Sequence, residues 1–192
     1  FKVEDETVSI FDPKFLTSLS RMKEKNLAYE LLKKLIDDQI KGYRKKSVTQ
    51  AKKYSELMQS MVNSYLNGQL TNAEVFEEML KMAKEMLSEN QKAKELGLTD
   101  EEFAFYEALT QPQAIADYYR EKNDELVAIT QELAAKMREM RTVDWQKKQS
   151  ARAAMRVAIK RLLKHHKYPP EGMESALCTV MEQCELWADN VA

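Results

Sequence analysis

The stretch "ELGLTDEEFAFYEAL", Glu95 to Leu109, spells out a helix start. In Thr99-Asp100-Glu101-Glu102 the threonine hydroxyl can accept the amide of Glu102. The Glu102 carboxylate can in turn reach back to the amide of Thr99. The first four amides of any helix lack intrahelical partners, so a reciprocal pair at this spacing marks where a helix begins. Phe103, Tyr106 and Leu109 then recur every three residues, on one face of a short helix, and Pro112 interrupts it.

Working outward, two more boxes of the same kind precede it. Ser47-Val48-Thr49-Gln50 opens a helix carrying Tyr54, Leu57, Met58, Met61, Tyr65 and Leu66, which ends at Asn67-Gly68. Thr71 to Glu74 opens the next, with Val75, Met79, Met82, Ala83 and Met86, fading towards Gly97. Upstream, Asp12-Pro13 reads as N-cap and first helical position. The spacing predicts a long helix behind it, with Leu27, Leu31, Leu32, Leu35, Ile36, Ile40 and Tyr43 on one face, weakened at Gly42 and Arg44-Lys45-Lys46. Downstream, residues 122–141 carry Leu126, Ile129, Leu133, Met137 and Met140, and a last helix is expected over 173–188. No stretch alternates with period two for long enough to be a strand. The reading is an all-α fold: an irregular multi-helix bundle of about seven to eight helices, one domain over residues 12–192 behind a linker of residues 1–11.

Composition agrees. Gly and Pro are scarce at four each, 44% of the 192 residues are apolar and 32% are charged. A chain of this length can bury roughly 70% of its unfolded surface. Cys178 and Cys184, six apart on one helix, point to different faces, so reduced thiols and a cytoplasmic setting are expected. No signal peptide or 18-residue apolar run suggests a membrane. The first residue is Phe1, not Met, which suggests a piece of a longer protein.

A formal charge of −1 gives no global basic field, but it hides two poles. From Lys136 to Lys167 there are eleven Lys and Arg against two acids, and from Gln69 to Glu107 ten acids against four Lys. A second basic stretch, Lys33 to Lys53, includes Arg44, Lys45 and Lys46. Within 146–167, Ala151, Ala154, Met155, Ala158, Ile159, Leu162 and Leu163 share an apolar stripe. Arg152, Arg156, Lys160, Arg161 and Lys164 lie on the other side. Asp144 is placed to cap this helix, Trp145 to anchor its start in a core, and Tyr168-Pro169-Pro170 to end it. The basic face is either a solvated surface or a contact for duplex phosphates or an acidic partner. Aromatic residues are not interleaved with it, which disfavours single-strand stacking.

The sequence offers no catalytic constellation. There is no phosphate-cradling glycine loop, since Gly42, Gly68, Gly97 and Gly172 stand alone. His165 and His166 are preceded three positions earlier by Leu162 and Leu163 rather than Glu. They therefore form no Glu-x-x-His metal motif, and we read them as surface residues. Neighbouring acids such as Asp37-Asp38, Glu77-Glu78 and Glu101-Glu102 point apart on their helices. No metal site and no cofactor are expected in this region.

Four segments in order carry a family resemblance: "KNLAYELLKKLIDDQIK" (25–41), "ELGLTDEEFAFYEAL" (95–109), "TVDW" (142–145) and "RVAIKRLLKHHKYPP" (156–170). Together they resemble the C-terminal helical region of the restriction, or motor, subunit of type I restriction–modification enzymes. "KHHKYPP" departs from the pattern, which implies a Gly near Tyr168. The resemblance implies a parent that is an ATP-dependent type I site-specific deoxyribonuclease. Its nuclease domain and helicase-like ATPase domains, with ATP and Mg, would lie outside this region. This region would attach the subunit to the methyltransferase and specificity subunits, with duplex DNA as a further contact. The other reading is a stand-alone helical nucleic-acid-binding module using the helix 146–167.

Overall fold

Helix punctuation places the breaks. In the computed structural model, which describes residues 13–191, the chain is all α, with nine α-helices and no strand among the described residues. The linker 1–11 and the proposed cap Asp12 lie outside the described residues.

Pro13 opens α1 (Pro13–Arg21). The expected long helix is in fact two, because the chain leaves helical geometry at Met22 and α2 (Lys25–Lys46) starts afresh. α3 (Val48–Leu66) follows after Ser47, which supplies half of its expected box. The Gln50 amide donates to Ser47 Oγ, while the Gln50 side chain donates to Glu107 Oε1. Ahead of α4 (Asn72–Glu95), Thr71 and Glu74 exchange both bonds of their box. Thr99 and Glu102 do the same ahead of α5 (Asp100–Leu109). Gly68 and Gly97 take positive φ values of 72° and 67° behind α3 and α4, a conformation that favours glycine. A short helix not read from the sequence, α6 (Gln113–Tyr118), follows Pro112. Apart from this six-residue helix, the described residues hold eight α-helices, in line with the expected multi-helix bundle. Then come α7 (Asn123–Met140), α8 (Gln149–His165) and α9 (Met173–Val191).

The chain read as one domain over 12–192 divides by contacts into two compact units. The first holds most of α1 to α4. Its apolar interior is drawn from Leu16, Leu19, Ala28, Leu32, Ile36, Tyr54, Val75, Met79 and Met86. The buried stripe of α2 is narrower than the periodicity predicts: Leu27 and Leu31 are exposed. On α3, Leu57, Tyr65 and Leu66 are exposed as well. Lys53 binds both Glu85 and Glu89 at 2.6 Å, and the buried Tyr54 donates its hydroxyl to Glu89. The two carboxylates raise the Lys53 ammonium pKa above its ordinary value although burial pulls it down.

The second unit is built around α5. Phe103, Ala104, Phe105, Tyr106, Ala108 and Leu109 are all buried, so this helix is apolar nearly all round and occupies the core. α5 packs on α7 and α9, and α8 packs on the same two, closing a four-helix arrangement. Tyr168 seals it by donating to the carbonyl of Leu109, and burial holds its phenol well above the usual range.

The turn after α8 explains the missing glycine. Lys167 has φ 56°, and the amide of Tyr168 donates to the carbonyl of Leu163, so a lysine holds the left-handed position of a Schellman cap. A side chain there is strained. Lys167→Gly is therefore expected to stabilise the protein by about 0.5–1 kcal/mol, raising Tm by about 1–4 °C in a thermal melt.

Candidate functional site

The sequence reading offered the basic residues of α8 and Arg44–Lys46 as a candidate contact surface, and the structure sorts the α8 cations into two classes. Arg152 and Lys160 are used internally. Arg152 Nη2 lies 2.7 Å from Glu185 Oε1 of α9, and its Nη1 donates to the carbonyl of Gln146. Lys160 Nζ is 3.4 Å from Glu174 Oε1 of the same helix. Arg156, Arg161 and Lys164 are exposed and make no ion pair among the described residues. The apolar stripe also shifts. Met155, Ile159, Leu162 and Leu163 are buried as expected, but Ala154 is exposed beside Ala153 and Val157, the last with 48% of its surface open.

The start of the stretch differs from the sequence reading. Asp144 does not cap α8 through its side chain. It sits in the left-handed region at φ 55°, pairs with Lys147 at 3.4 Å and precedes a single 3-10 turn over Trp145–Lys147. Lys148, not Asp144, stands at the N-cap of α8. Trp145 is 2% exposed and belongs to the same apolar cluster as Met155 and Ile159.

Arg44, Lys45 and Lys46 have exposed side chains at the end of α2. The Lys46 carbonyl accepts from Gln183 Nε2 at 2.8 Å and from Trp187 Nε1 at 3.0 Å. On a wheel of about 100° per residue, Gln183 and Trp187 fall on one side of α9, and Glu174 and Glu185 fall about 140–200° away. The end of α2 at Lys46 and the α8 cations Arg152 and Lys160 therefore meet opposite rims of α9.

Sequence reasoning missed a polar cluster at the same end of this unit. Arg141 donates to Glu101 at 2.6 Å and holds its guanidinium 5.4 Å from the centre of the Trp187 ring, which meets Phe105 edge-on. His166, read as a surface residue, is partly buried and pairs with Glu132 of α7. Arg–acid and His–acid pairs between distant helices have no short-range spacing to reveal them.

The thiols separate as expected. Cys178 is exposed and Cys184 buried. Burial, with the carboxylates of Glu101 and Glu185 adding to it and Arg141 opposing, pushes the Cys184 thiol up to about 12. A thiol reagent at mildly alkaline pH is thus expected to modify Cys178 rapidly and Cys184 only after denaturation. Mass spectrometry of the labelled peptides checks this. No group of three or more His, Cys, Asp or Glu residues that could hold a metal ion occurs among the described residues. No described helix is long and apolar enough to cross a membrane.

Comparison with known proteins supplies the family. Residues 1–190 match the family "Type I restriction enzyme HindI endonuclease subunit-like, C-terminal". The chain is 32% identical over 185 residues to the type I restriction enzyme HindI endonuclease subunit of Haemophilus influenzae, covering 96% of this chain and 17% of that protein. It is 29% identical over 163 residues to a putative type I restriction enzyme MjaIXP endonuclease subunit of Methanocaldococcus jannaschii, covering 84% of this chain and 15% of that one. The chain thus spans about a sixth of the length of these relatives. No solved structure matches it. With a match along almost its whole length and four segments of the family pattern in order, the chain belongs to the family of C-terminal regions of HindI-like type I restriction endonuclease subunits.

Proposed function

We propose that this region is an assembly module: it docks a type I restriction endonuclease subunit onto the methyltransferase–specificity core through the outer face of α8. In this reading ATP and Mg serve the parent's other domains, which perform ATP-dependent translocation and cleavage, and this region does no catalysis. One observation carries the choice of a protein partner. Val157, 48% exposed, stands with Ala153 and Ala154 among the unpaired cations Arg156, Arg161 and Lys164. A protein surface gains by burying such apolar atoms, whereas phosphates do not. Duplex DNA is the second reading, supported by the unpaired cations themselves.

Salt separates the two. Binding to phosphates weakens steeply and linearly on a logarithmic salt axis, whereas a contact with an apolar centre is less sensitive. The test is a titration of the full endonuclease subunit with the core and, separately, with duplex DNA, over a range of salt. Arg156→Glu/Arg161→Glu/Lys164→Glu is expected to weaken core binding markedly with little change in melting, since exposed substitutions usually cost under about 0.5 kcal/mol each. Unchanged core binding with weakened duplex binding would favour the DNA reading. Unchanged binding to both would leave a solvated face.

A further inference from the structure

The outer face of α8 has a register as well as a charge. Ser150, Ala154, Val157, Arg161 and Lys164 follow one another at spacings of four, three, four and three residues. On a wheel of about 100° per residue they fall within about 80° of one another and opposite the buried Met155 and Ile159. All five are exposed. This is the spacing at which one helix lies along another. The seam is also graded along its length. Its N-terminal half is small, with Ala154 and Val157 after Ser150, allowing a close approach, and its C-terminal half is cationic, with Arg161 and Lys164 unpaired among the described residues.

We propose that this seam receives a single helix of the partner protein, with apolar residues over Ala154 and Val157 and carboxylates spaced three or four residues apart over Arg161 and Lys164. The inference rests on the assembly reading and narrows it to an acidic, amphipathic helix. Charge complementarity selects acids, as Arg152 and Lys160 on another side of the same helix pair with Glu185 and Glu174 of α9. The outer cations have no such partner within the described residues. Opposite-charge pairs flanking an apolar seam fix partner choice and orientation in helix pairs.

Two experiments on the full endonuclease subunit with the methyltransferase–specificity core test it. The first is Val157→Arg, which adds a cation and removes the apolar centre. Because Val157 is exposed, melting is expected to stay near that of the parent. Core binding is expected to weaken at least about tenfold. If core binding is unchanged while the Arg156/Arg161/Lys164 reversal still weakens it, the helix seam is wrong and the assembly reading survives. If neither variant affects core binding, both fail. Tighter duplex binding with unchanged core binding would overturn the proposal in favour of phosphate.

The second experiment is carbodiimide cross-linking, which joins an amine to a carboxylate in contact. Lys164 is expected to couple to Asp or Glu residues within one helical segment of the core, and Lys164→Arg to abolish that product. A complex in which Lys164 couples to no carboxylate of the core overturns the acidic helix as occupant.

Discussion

Trp145→Ala is expected to destabilise the protein by about 3–5 kcal/mol, the usual cost of deleting a large ring from a packed interior. The ring is 2% exposed and sits in the cluster with Met155 and Ile159 of α8 and with Leu133 and Met137 of α7. It is carried on a 3-10 turn that packs on α8, not on α8 itself. Truncation thus removes a buried ring from that cluster and leaves a cavity in its place. Equilibrium denaturation of the 192-residue chain measures the loss. A variant that melts like the parent would show that the ring is not packed.

The second large effect is expected at Gln183, which is 1% exposed. Its side chain works in both directions at the junction of α2 and α3. It accepts the amide of Val48 at 2.8 Å and donates to the carbonyl of Lys46 at 2.8 Å. Gln183→Leu preserves volume roughly but removes the acceptor for Val48. The Lys46 carbonyl keeps Trp187 Nε1, so only one group is left without its partner. The Val48 amide is part-buried, so leaving it unsatisfied should cost towards the low end of about 1–3 kcal/mol. Denaturation should show that loss, and amide exchange should speed up at Val48. Gln183→Glu would keep an acceptor for Val48 but could not donate to Lys46 and would bury a charge, so it should not rescue stability. Equal stability of the leucine variant would mean that the junction does not depend on this side chain.

What the sequence revealed followed from local chemistry. The boxes at Thr71–Glu74 and Thr99–Glu102 form as read, because both partners lie within one turn. Glycines at 68 and 97 end helices for a reason internal to the backbone. The box at Ser47 forms only by half: the Ser47 amide already donates to the carbonyl of Tyr43, and the Gln50 side chain donates to Glu107, distant in sequence. The exposure of Leu27, Leu31 and Ala154 was not legible, since periodicity shows which residues share a face but not how wide a neighbour covers it. Asp144 looked like a cap from its type and place, yet its backbone is left-handed and the helix starts at Gln149.

The basic face was legible as composition but not as a site. Arg152, Arg156 and Lys160, four residues apart, read as one outward row. Arg152 and Lys160 instead meet Glu185 and Glu174, acids of a helix that begins after the turn closing α8. A charge reversal at Arg152 would therefore set two carboxylates side by side and cost stability. Arg156, Arg161 and Lys164 stay exposed with no ion pair among the described residues, and the proposed docking face rests on them.

Hydrogen exchange on the full endonuclease subunit, followed by mass spectrometry, tests the docking face most directly. Addition of the methyltransferase–specificity core is predicted to slow exchange across peptides spanning residues 150–164, and addition of duplex DNA alone to leave them unchanged. Unaltered exchange in α8 within the assembled complex, or protection by DNA without the core, would contradict the account.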